Sequence, residues 1–388
     1  MINDSNGGPM GIGFELASEQ KMMQQMAREF AINEILPAAA KYDKSHDYPW
    51  PVVEKAQALG LTTMNVPELY GGMGLSLVEE MIVSEELAWA CSGISLAITI
   101  SNLAALPVII AGNEAQKQEY LGRLAGGKLA AYCVTEPGAG SDVVAMKANA
   151  RREGHEYILN GTKTFITGAT VADWYAVFAY TQPEKRYQGI SAFIVDRDSP
   201  GLSVSKPFEK LGQCASDTAE VVFDQVRVPV ANRLGEEGEG FLIAMKVFDR
   251  SRPAVGTSSV GIARRAMEES IKYAQERETM GRPIYKHQAV GHLIADMAIQ
   301  IEAARLLVWR AAWLVDQGCA NVREAAIAKA FAADMAMKVC TDAVQVFGGY
   351  GYMREYPVEK LMRDIKICQI YEGTSQIQRN IIVRELFR

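Results

Sequence analysis

The amino-acid sequence predicts an α+β protein in which a β-rich middle domain separates two helical domains. Apolar residues recur with a helical period over residues 16–128. From Leu129 to about residue 235, β-branched residues appear in short alternating runs, and from Gly240 the helical period returns. Ligands often bind where such domains meet, so we expect clefts at the two junctions. The expected domains are residues 1–128, 129–238 and 239–388.

The first helical region contains two helix-start signals and one strongly apolar segment. Ser18 is expected to cap the first helix. Ser76 and Glu79 form a capping-box pattern that predicts a helix through Trp89. Residues 94–111 are nearly all apolar or small, but serine, threonine and asparagine interrupt them. They are therefore predicted to form a core helix rather than a membrane span.

The middle region contains one hairpin signal and two clear strand patterns. Asn160-Gly161 lies between the apolar runs YIL and KTFIT, which predicts a β-hairpin with its turn at these two residues. Further strands are expected at residues 191–195 and 219–228. Helices are expected near residues 240–275, 286–317, 321–347 and 374–386.

Charge and composition exclude several kinds of protein. The 388 residues carry a formal net charge of −6, which does not favour a nucleic-acid or anionic-membrane partner. None of the six cysteines forms a C-x-x-C pair and the four histidines form no H-E-x-x-H, so no metal site is predicted. The N-terminal stretch MINDSNGGPMGIG has no basic segment before an apolar core. We expect a cytoplasmic protein without a targeting peptide.

The motif YCVTEPGAGSD, residues 132–142, lies at the boundary between the first helical region and the β region. Its small residues Gly138 and Gly140 let backbone N–H groups approach a ligand, and Thr135 and Ser141 add hydroxyl groups. Such a loop can hold a phosphate or a flat polar ring. A plain Pro-Gly turn is an equally good interpretation of the motif by itself.

Two further motifs carry polar and aromatic groups at regular spacing. KTFITGA places Phe165 and Thr167 on one face of a strand, where they could contact a ring cofactor or simply pack in a core. FDRSRP places Asp249 and Arg252 three residues apart on a helix. Arg252 could bind a phosphate, or the two could form an ordinary surface ion pair.

The C-terminal stretch YEGTSQIQRNIIVRELFR begins with a possible catalytic acid. Glu372 directly precedes Gly373, Thr374 and an amphipathic helix pattern. An acid at such a turn can point into a cleft and act as a general base. The alternative is a solvated acid at a helix N-terminus, where the helix dipole favours it. Upstream, QVFGGYGY, residues 345–352, has two glycines that can either end a helix or expose donors to a ligand.

Taken together and in order, these motifs resemble the acyl-CoA dehydrogenase family of flavoproteins, in its short- and medium-chain branch. The likeness covers about residues 14–388 and is most specific in EYPVEKLMRDIKICQIYEGTSQIQ. It implies a helical N-terminal domain, a β-barrel-like middle domain and a C-terminal four-helix bundle. FAD is expected between them, in a homotetramer built as a dimer of dimers.

The resemblance also implies a reaction. Glu372 takes the α-proton of an acyl-CoA thioester and a hydride passes from Cβ to flavin N5, giving a trans-2-enoyl-CoA. The Glu372 backbone N–H and a ribityl hydroxyl polarise the thioester carbonyl, and the electrons pass to an electron-transfer flavoprotein. A flavin-dependent acyl-CoA oxidase, an enoyl-CoA reductase and a non-catalytic FAD- and CoA-binding protein are the alternatives.

The family's functional positions map onto this chain residue by residue. The implied flavin contacts are Tyr132, Val134, Thr135, Gly140, Ser141, Phe165, Thr167, Thr374 and Gln376. The residues that resemble those reaching a neighbouring subunit's FAD are Arg277, Thr279, Gln288, Gln345 and Gly349. The implied substrate contacts are Ser141, Phe248, Asp249, Arg252 and Gly373.

Three positions, compared with branches of the family, bear on the chemistry. Ser251 stands where isovaleryl and long-chain enzymes carry their base, so Glu372 is the one candidate base. Thr99 stands where medium-chain enzymes have Glu near the floor of the acyl pocket, which leaves chain length and branching open. Cys91 stands where an acid would indicate a second proton-handling group for cyclic substrates.

Overall fold

The structure is a computed structural model that describes residues 15–388. The N-terminal stretch on which the targeting expectation depends, residues 1–13, lies outside the described residues. That expectation therefore stays a prediction.

The first helical region is built around the long helices α4 and α5. Ala27 and Phe30 of the first helix pack with Leu87 and Ile94 in a common apolar core. The helices of this region are α1 Ser18–Phe30, α2 Ala39–Ser45, α3 Trp50–Ala58, α4 Leu77–Ala90, α5 Ser92–Ala111, α6 Glu114–Gln116 and α7 Gly122–Ala125.

The two helix-start predictions had different outcomes. Ser76 caps α4 as predicted: its hydroxyl accepts from the Glu79 backbone N–H, and the Glu79 carboxylate accepts from the Ser76 N–H at 2.9 Å. The prediction for α1 was wrong by one residue, because Ala17 occupies the cap position and Ser18 is already helical. The Gln20 side chain accepts from the Ala17 N–H at 3.1 Å, which satisfies a donor there without a capping hydroxyl.

Helix α5 is the apolar helix that the sequence predicts for the core. Within the described residues it alone is long and apolar enough to cross a membrane, but 67% of its apolar window is buried inside the protein. It packs against α4, against helix α8 of the C-terminal region (Gly240–Glu276) and against strand β1 (Ala130–Cys133).

The middle domain is an eight-stranded sheet that curves over an aromatic core. Its strand order is β6-β7-β3-β2-β4-β5-β8, and β1 pairs in parallel with β4. The Tyr157 ring on β3 lies 4.9 Å from the Phe193 ring on β5, so strands that are not neighbours come together. The strands are β1 Ala130–Cys133, β2 Asn149–Glu153, β3 Glu156–Thr167, β4 Trp174–Tyr180, β5 Ile190–Asp196, β6 Leu202–Val204, β7 Thr218–Pro229 and β8 Arg233–Leu234.

The predicted hairpin turn at Asn160-Gly161 was wrong. Strand β3 runs straight through both residues, and the turn between β2 and β3 falls at Gly154 instead. Asn160 and Gly161 lie at a register shift against β7, where the Asn160 side-chain oxygen accepts from the Gln225 N–H at 2.9 Å. Gly161 has φ 146°, and a Cβ there would lie 2.6 Å from the Ala148 Cβ. The pair therefore serves a β-bulge rather than a turn.

The C-terminal region is a bundle in which α8, α9 and α10 pack on one another and α12 packs on α10. Small residues allow close approach: a Cβ on Gly261 of α8 would lie 2.6 Å from the Glu85 carbonyl oxygen of α4. The elements are α8 Gly240–Glu276, β9 Glu278–Thr279, β10 Arg282–Pro283, α9 Gln288–Asp316, α10 Val322–Phe347, α11 Val358–Ile365 and α12 Ser375–Leu386.

The observed order of helical, sheet and helical regions agrees with the predicted architecture. A buried carboxylate joins all three: Asp364 of α11 is 0% exposed and accepts from the Ser92 hydroxyl of α5 at 3.0 Å. It also accepts from the Gln213 backbone N–H of the middle domain at 2.7 Å. This junction leads directly into the segment that ends at Glu372.

Candidate active site

Glu372 and Gly373 form a two-residue turn, here called the base turn, between the chain after α11 and helix α12. Both residues have left-handed backbone conformations, with φ 51° at Glu372 and φ 90° at Gly373. Thr374 then caps α12, because its hydroxyl accepts from the Ile377 N–H at 3.1 Å. A left-handed conformation costs a residue such as glutamate about 1 kcal/mol or more, so the surrounding structure must impose it.

The Glu372 carboxylate lies against helix α8 rather than in bulk water. The Ser251 hydroxyl donates to its Oε2 atom. Burial raises the pKa of Glu372, while the hydrogen bond from Ser251 and the charges of Lys329 and Arg252 partly oppose that shift. A half-buried carboxylate with a raised pKa suits a general base, since its proton affinity is closer to that of a weak carbon acid.

The Tyr132 ring brings the first sequence motif to the same place. It packs edge-on against the Phe248 ring of α8, with 6.1 Å between the ring centres. The Tyr132 hydroxyl has no hydrogen-bond partner among the described residues. Burial raises the pKa of Tyr132 well above its usual value, and the Glu372 charge adds to the effect. Tyr132, Phe248 and Glu372, which are far apart in the sequence, are therefore close in space.

Asp249 and Arg252 form the ion pair that their spacing predicts, but it is not an exposed surface pair. The Arg252 guanidinium lies 2.8 Å from the Asp249 carboxylate, and Arg252 is only 5% exposed. Burial lowers the pKa of Arg252, and the charges of Asp249 and Glu372 oppose that shift. The surface alternative does not describe this pair, and the predicted contact with the substrate stays a prediction.

The stretch at residues 132–142 begins at the end of strand β1 and continues as a loop, and a buried ion pair fastens it to strand β3. The Lys163 ammonium, 0% exposed, donates to the Val134 carbonyl at 2.9 Å and to the Glu136 carboxylate at 2.8 Å. The Thr164 N–H donates to the Thr135 carbonyl at 2.9 Å. This attachment leaves the far end of the loop, with Gly140, exposed.

Phe165 presents a flat aromatic surface beside this loop. It has φ 57°, lies at a register shift of β3 against β7, and is 66% exposed. Its ring centre lies 5.6 Å from that of Phe208, with the two rings tilted by 50°, and Thr167 on the same strand is half-buried. An exposed phenylalanine held in a left-handed conformation is an unusual arrangement that a bound ring would explain.

The residues that resemble contacts to a neighbouring subunit's FAD form a second group at one end of the C-terminal bundle. The Arg277 guanidinium lies 5.8 Å from the centre of the Tyr350 ring, and within residues 15–388 no carboxylate pairs with it. Thr279 shares a hydrogen bond with His287 at 3.0 Å. In the described structure no hydrogen bond, ion pair or aromatic contact joins this group to the one around Glu372. Its members are all exposed: Arg277, Thr279, Gln288, Gln345 and Gly349.

These two groups fit the chemistry of FAD. The exposed Phe165 face and the Tyr132 hydroxyl without a partner suit a ring with polar edges. A Cβ built on Gly140 would meet nothing within 4 Å, so space is open beside the loop. Arg277, a cation without a carboxylate partner among the described residues, suits a phosphate.

The sequence interpretation missed two side chains that hold the base turn. Lys329 of α10 donates to the Gly373 carbonyl at 2.6 Å. Gln378 of α12 donates to the same carbonyl at 3.0 Å and to that of Glu372 at 3.2 Å. A signal for Lys329 was present, because it is a lone cation within the alanine-rich run AAIAKAFAAD. Gln378 stands in an ordinary amphipathic pattern that gives no such signal.

Three family models together match almost the whole chain. Acyl-CoA dehydrogenase, N-terminal domain, matches residues 17–128. Acyl-CoA dehydrogenase, middle domain, matches residues 131–226, and acyl-CoA dehydrogenase, C-terminal domain, matches residues 238–387.

Two curated relatives are similar over nearly their full length. Cyclohexane-1-carbonyl-CoA dehydrogenase of Geobacter metallireducens is 45% identical over 377 residues, which is 97% of this chain and 99% of the relative. The short-chain specific acyl-CoA dehydrogenase of Clostridium acetobutylicum is 44% identical over 378 residues, which is 97% of this chain and 100% of the relative.

Two solved structures share the fold closely. Butyryl-CoA dehydrogenase from Megasphaera elsdenii has a TM-score of 0.95 and 39% identity, covering 97% of this chain and 100% of that chain. A chain described as electron transferring flavoprotein of Acidaminococcus fermentans, in work on flavin-based electron bifurcation, has a TM-score of 0.95 and 44% identity over the same shares.

Proposed function

The chain belongs to the acyl-CoA dehydrogenase family, and on that premise we propose that it oxidises an acyl-CoA thioester to a trans-2-enoyl-CoA with Glu372 as the base. The observation that carries this proposal is the environment of Glu372. Its carboxylate is half-buried, has a raised pKa and is held by Ser251 where α8, the loop at residues 132–142 and the C-terminal segment meet.

The chemistry divides into removal of a proton and removal of a hydride. Glu372 takes the α-proton, the electron pair of that bond becomes part of the new Cα–Cβ double bond, and the β-hydrogen leaves with its electron pair. FAD is the cofactor of this family, and when bound it accepts that hydride. The electrons then pass to an electron-transfer flavoprotein, a partner of the kind named in one of the structural relatives.

The backbone of the base turn supports polarisation of the thioester carbonyl. An α-proton of a thioester is much less acidic than a carboxylic acid, so the carbonyl oxygen needs a hydrogen-bond donor as negative charge develops. Among the described residues, nothing accepts a hydrogen bond from the Glu372 backbone N–H. The carbonyl oxygen of Glu372 itself already accepts a hydrogen bond from the Gln378 amide at 3.2 Å. The N–H of Glu372 is thus available for substrate.

The test is anaerobic bleaching of the flavin by acyl-CoA. We expect Glu372→Gln to retain FAD and to bleach more slowly by on the order of a thousandfold or more, since an amide does not accept the proton. Glu355→Gln, which replaces an exposed acid just before α11, is the matched control and should bleach normally. Normal bleaching in Glu372→Gln would show that Glu372 is not the base.

The same assay separates the alternative activities. Bleached enzyme that stays reduced on exposure to air, but is reoxidised by an electron-transfer flavoprotein, supports the dehydrogenase. Rapid reoxidation by air indicates an oxidase. The result indicates a reductase if no acyl-CoA bleaches the flavin and an enoyl-CoA reoxidises the chemically reduced enzyme. A panel of straight, branched and cyclic thioesters identifies the acyl group.

Two further parts of the proposal concern assembly and location. The exposed second group around Arg277 supports a site completed by a neighbouring subunit, in a homotetramer, and sedimentation of the purified protein measures that assembly directly. All six cysteines lie within the described residues and are free, which supports a reducing compartment such as the cytoplasm.

A further inference from the structure

Two polar side chains that solvent does not reach donate hydrogen bonds to the backbone carbonyls of the base turn. Lys329 of α10 and Gln378 of α12 are both 0% exposed. The Lys329 ammonium lies 2.6 Å from the Gly373 carbonyl oxygen, and the Gln378 amide lies 3.0 Å from the same oxygen and 3.2 Å from that of Glu372. Burying an ammonium group inside a helical bundle is unfavourable, so its position calls for a role beyond packing.

The geometry of these contacts fixes the backbone on both sides of the catalytic carboxylate. A carbonyl oxygen that is held by a donor fixes the plane of its peptide unit. Gln378 holds the plane that follows Glu372, and Lys329 together with Gln378 holds the plane that follows Gly373. The fit is close, since a Cβ on Gly373 would lie 2.6 Å from the Gln378 amide nitrogen. Without these two donors, no hydrogen bond to the Glu372 or Gly373 carbonyl would help to impose the left-handed conformation of Glu372.

We propose that Lys329 and Gln378 are positioning residues that lock the base turn, keeping the Glu372 carboxylate against Ser251 and the Glu372 backbone N–H free for the thioester carbonyl. This inference rests on the proposed role of Glu372 as the base. Neither side chain touches the substrate in this scheme, and each acts through the conformation of Glu372. Lys329 acts in a second way, through its charge.

The charge of Lys329 faces groups from three parts of the fold. Burial lowers the pKa of Lys329 to about 8, and the charge of Arg252 on α8 adds to this lowering. The opposing groups, which raise the pKa, are Cys368 and Glu372 of the C-terminal segment and Asp334 of its own helix. At neutral pH the ammonium is therefore mostly protonated and lowers the pKa of the nearby Glu372 carboxylate. Removing it must raise the pKa of Glu372 further.

The experiment compares Lys329→Met, Lys329→Arg and Gln378→Leu with a control on the same helix. Lys338→Met is that control, because Lys338 of α10 is exposed and, among residues 15–388, pairs only with Asp342. Each variant, loaded with FAD, is mixed with acyl-CoA without air at pH 6 to 9. A second probe is an acyl-CoA analogue with sulfur at the β position, which can lose its α-proton but has no β-hydrogen to transfer. Crystal structures of the variants report the base turn itself.

We expect Lys329→Met and Gln378→Leu to lower the bleaching rate at pH 7 at least tenfold, with kcat falling more than KM rises. In Lys329→Met the acid limb of the pH profile moves to higher pH, and Lys329→Arg, which keeps a charged donor, restores that limb. Deprotonation of the sulfur analogue weakens in step with bleaching, and the crystal structures show Glu372 turned away from Ser251. Lys338→Met stays like wild type.

The outcomes separate this inference from the proposed function. If Glu372→Gln is inactive while Lys329→Met and Gln378→Leu behave like Lys338→Met and keep Glu372 against Ser251, the positioning inference is wrong and the base assignment stands. If Glu372→Gln bleaches normally, the base assignment fails, and the variant crystal structures still decide whether these side chains lock the turn. If Lys329→Met does not fold, Gln378→Leu alone decides, because an unchanged rate and an unchanged turn in that variant overturn the inference.

Discussion

At the scale of single residues, Ser251 shows how one substitution changes the role of a position without abolishing it. By the family resemblance, some relatives carry the base at this position. Here it carries a hydroxyl that donates to Glu372, the proposed base. The two residues are 121 positions apart in the sequence. Ser251 is 7% exposed, so its hydrogen bond lies largely outside the screening of bulk water.

Replacement of Ser251 tests this hydrogen bond. Ser251 lowers the pKa of Glu372, which burial raises. We expect Ser251→Ala to raise the pKa of Glu372 further, because the carboxylate loses a hydrogen bond that favours its charged form. The acid limb of the bleaching rate should move to higher pH. Ser258→Ala, on the same helix, is the control, and an unmoved acid limb in Ser251→Ala would contradict the prediction.

Arg277 gives a second test at this scale. Its guanidinium has no carboxylate partner in the part of the chain that the structure describes, which suits a phosphate of the cofactor. We expect Arg277→Ala to lose FAD more readily than wild type, measured as the absorbance ratio of flavin to protein after dilution and gel filtration. Lys272→Ala removes an exposed cation about one turn earlier on α8 and should retain FAD. Equal retention in both variants would show that Arg277 does not hold the cofactor.

At the scale of elements, helix α4 carries an acid whose burial is costly. Glu80 is 7% exposed, and its Oε1 atom has no hydrogen-bond partner among the described residues. Burial raises the pKa of Glu80 from 4.5 to about 8, with Arg250 opposing the shift and Asp316 adding to it. The folded state therefore keeps a proton that the unfolded state releases, and the stabilising contribution of this group is lost as pH rises from about 4.5 to 8.

Glu80→Gln removes this titration while keeping the shape of the side chain. We expect the free energy of unfolding of the variant, relative to wild type, to increase between pH 5 and pH 8 by at least about 1 kcal/mol, since each pKa unit corresponds to about 1.4 kcal/mol. Denaturant unfolding at both pH values measures it. Glu54→Gln on α3 replaces an exposed acid and should show no pH-dependent difference. If the stability of the variant relative to wild type stays the same or falls between pH 5 and pH 8, the assignment is wrong.

Elements also show where local sequence patterns succeed and where they mislead. The capping box at Ser76 was predictable because both of its hydrogen bonds join residues three apart. Asn160-Gly161 has the composition of a tight turn, yet both residues serve a bulge. The deciding contacts come from Gln225 on β7 and Ala148 before β2, which local composition does not reveal. Helix α11, Val358–Ile365, was not predicted, since eight residues give too short a period to recognise.

At the scale of the whole molecule, Asp364 joins the three regions of the fold near the base turn. It accepts from Ser92 of the first helical region and Gln213 of the middle domain, and it pairs with Lys360 one turn away. Burial lowers the pKa of Lys360, but Asp364 together with Cys91 and Asp43 outweighs that effect, so the pKa is raised. This carboxylate therefore aligns the regions whose meeting forms the site.

Asp364→Asn tests that junction. The change leaves Lys360 without its buried carboxylate partner, and breaking a buried pair costs about 3–5 kcal/mol. We expect a lower unfolding midpoint and, because the regions meet at the site, weaker retention of FAD. Asp342→Asn, which removes the partner of exposed Lys338, is the control and should change neither. An unchanged midpoint in Asp364→Asn would show that the junction does not depend on this charge.

The sequence by itself determined the order of helical, sheet and helical regions, the family and the candidate base at Glu372, because helical periods, strand alternation and motifs are local patterns. Only the tertiary structure decided what surrounds that base. Ser251 lies 121 residues from Glu372, and Lys329 lies 44 residues from Gly373. These contacts arise where α8, α10 and the C-terminal segment pack together. A sequence pattern shows which face of a helix is buried, but not which buried groups of distant helices meet, and that meeting sets the pKa and the conformation of the base.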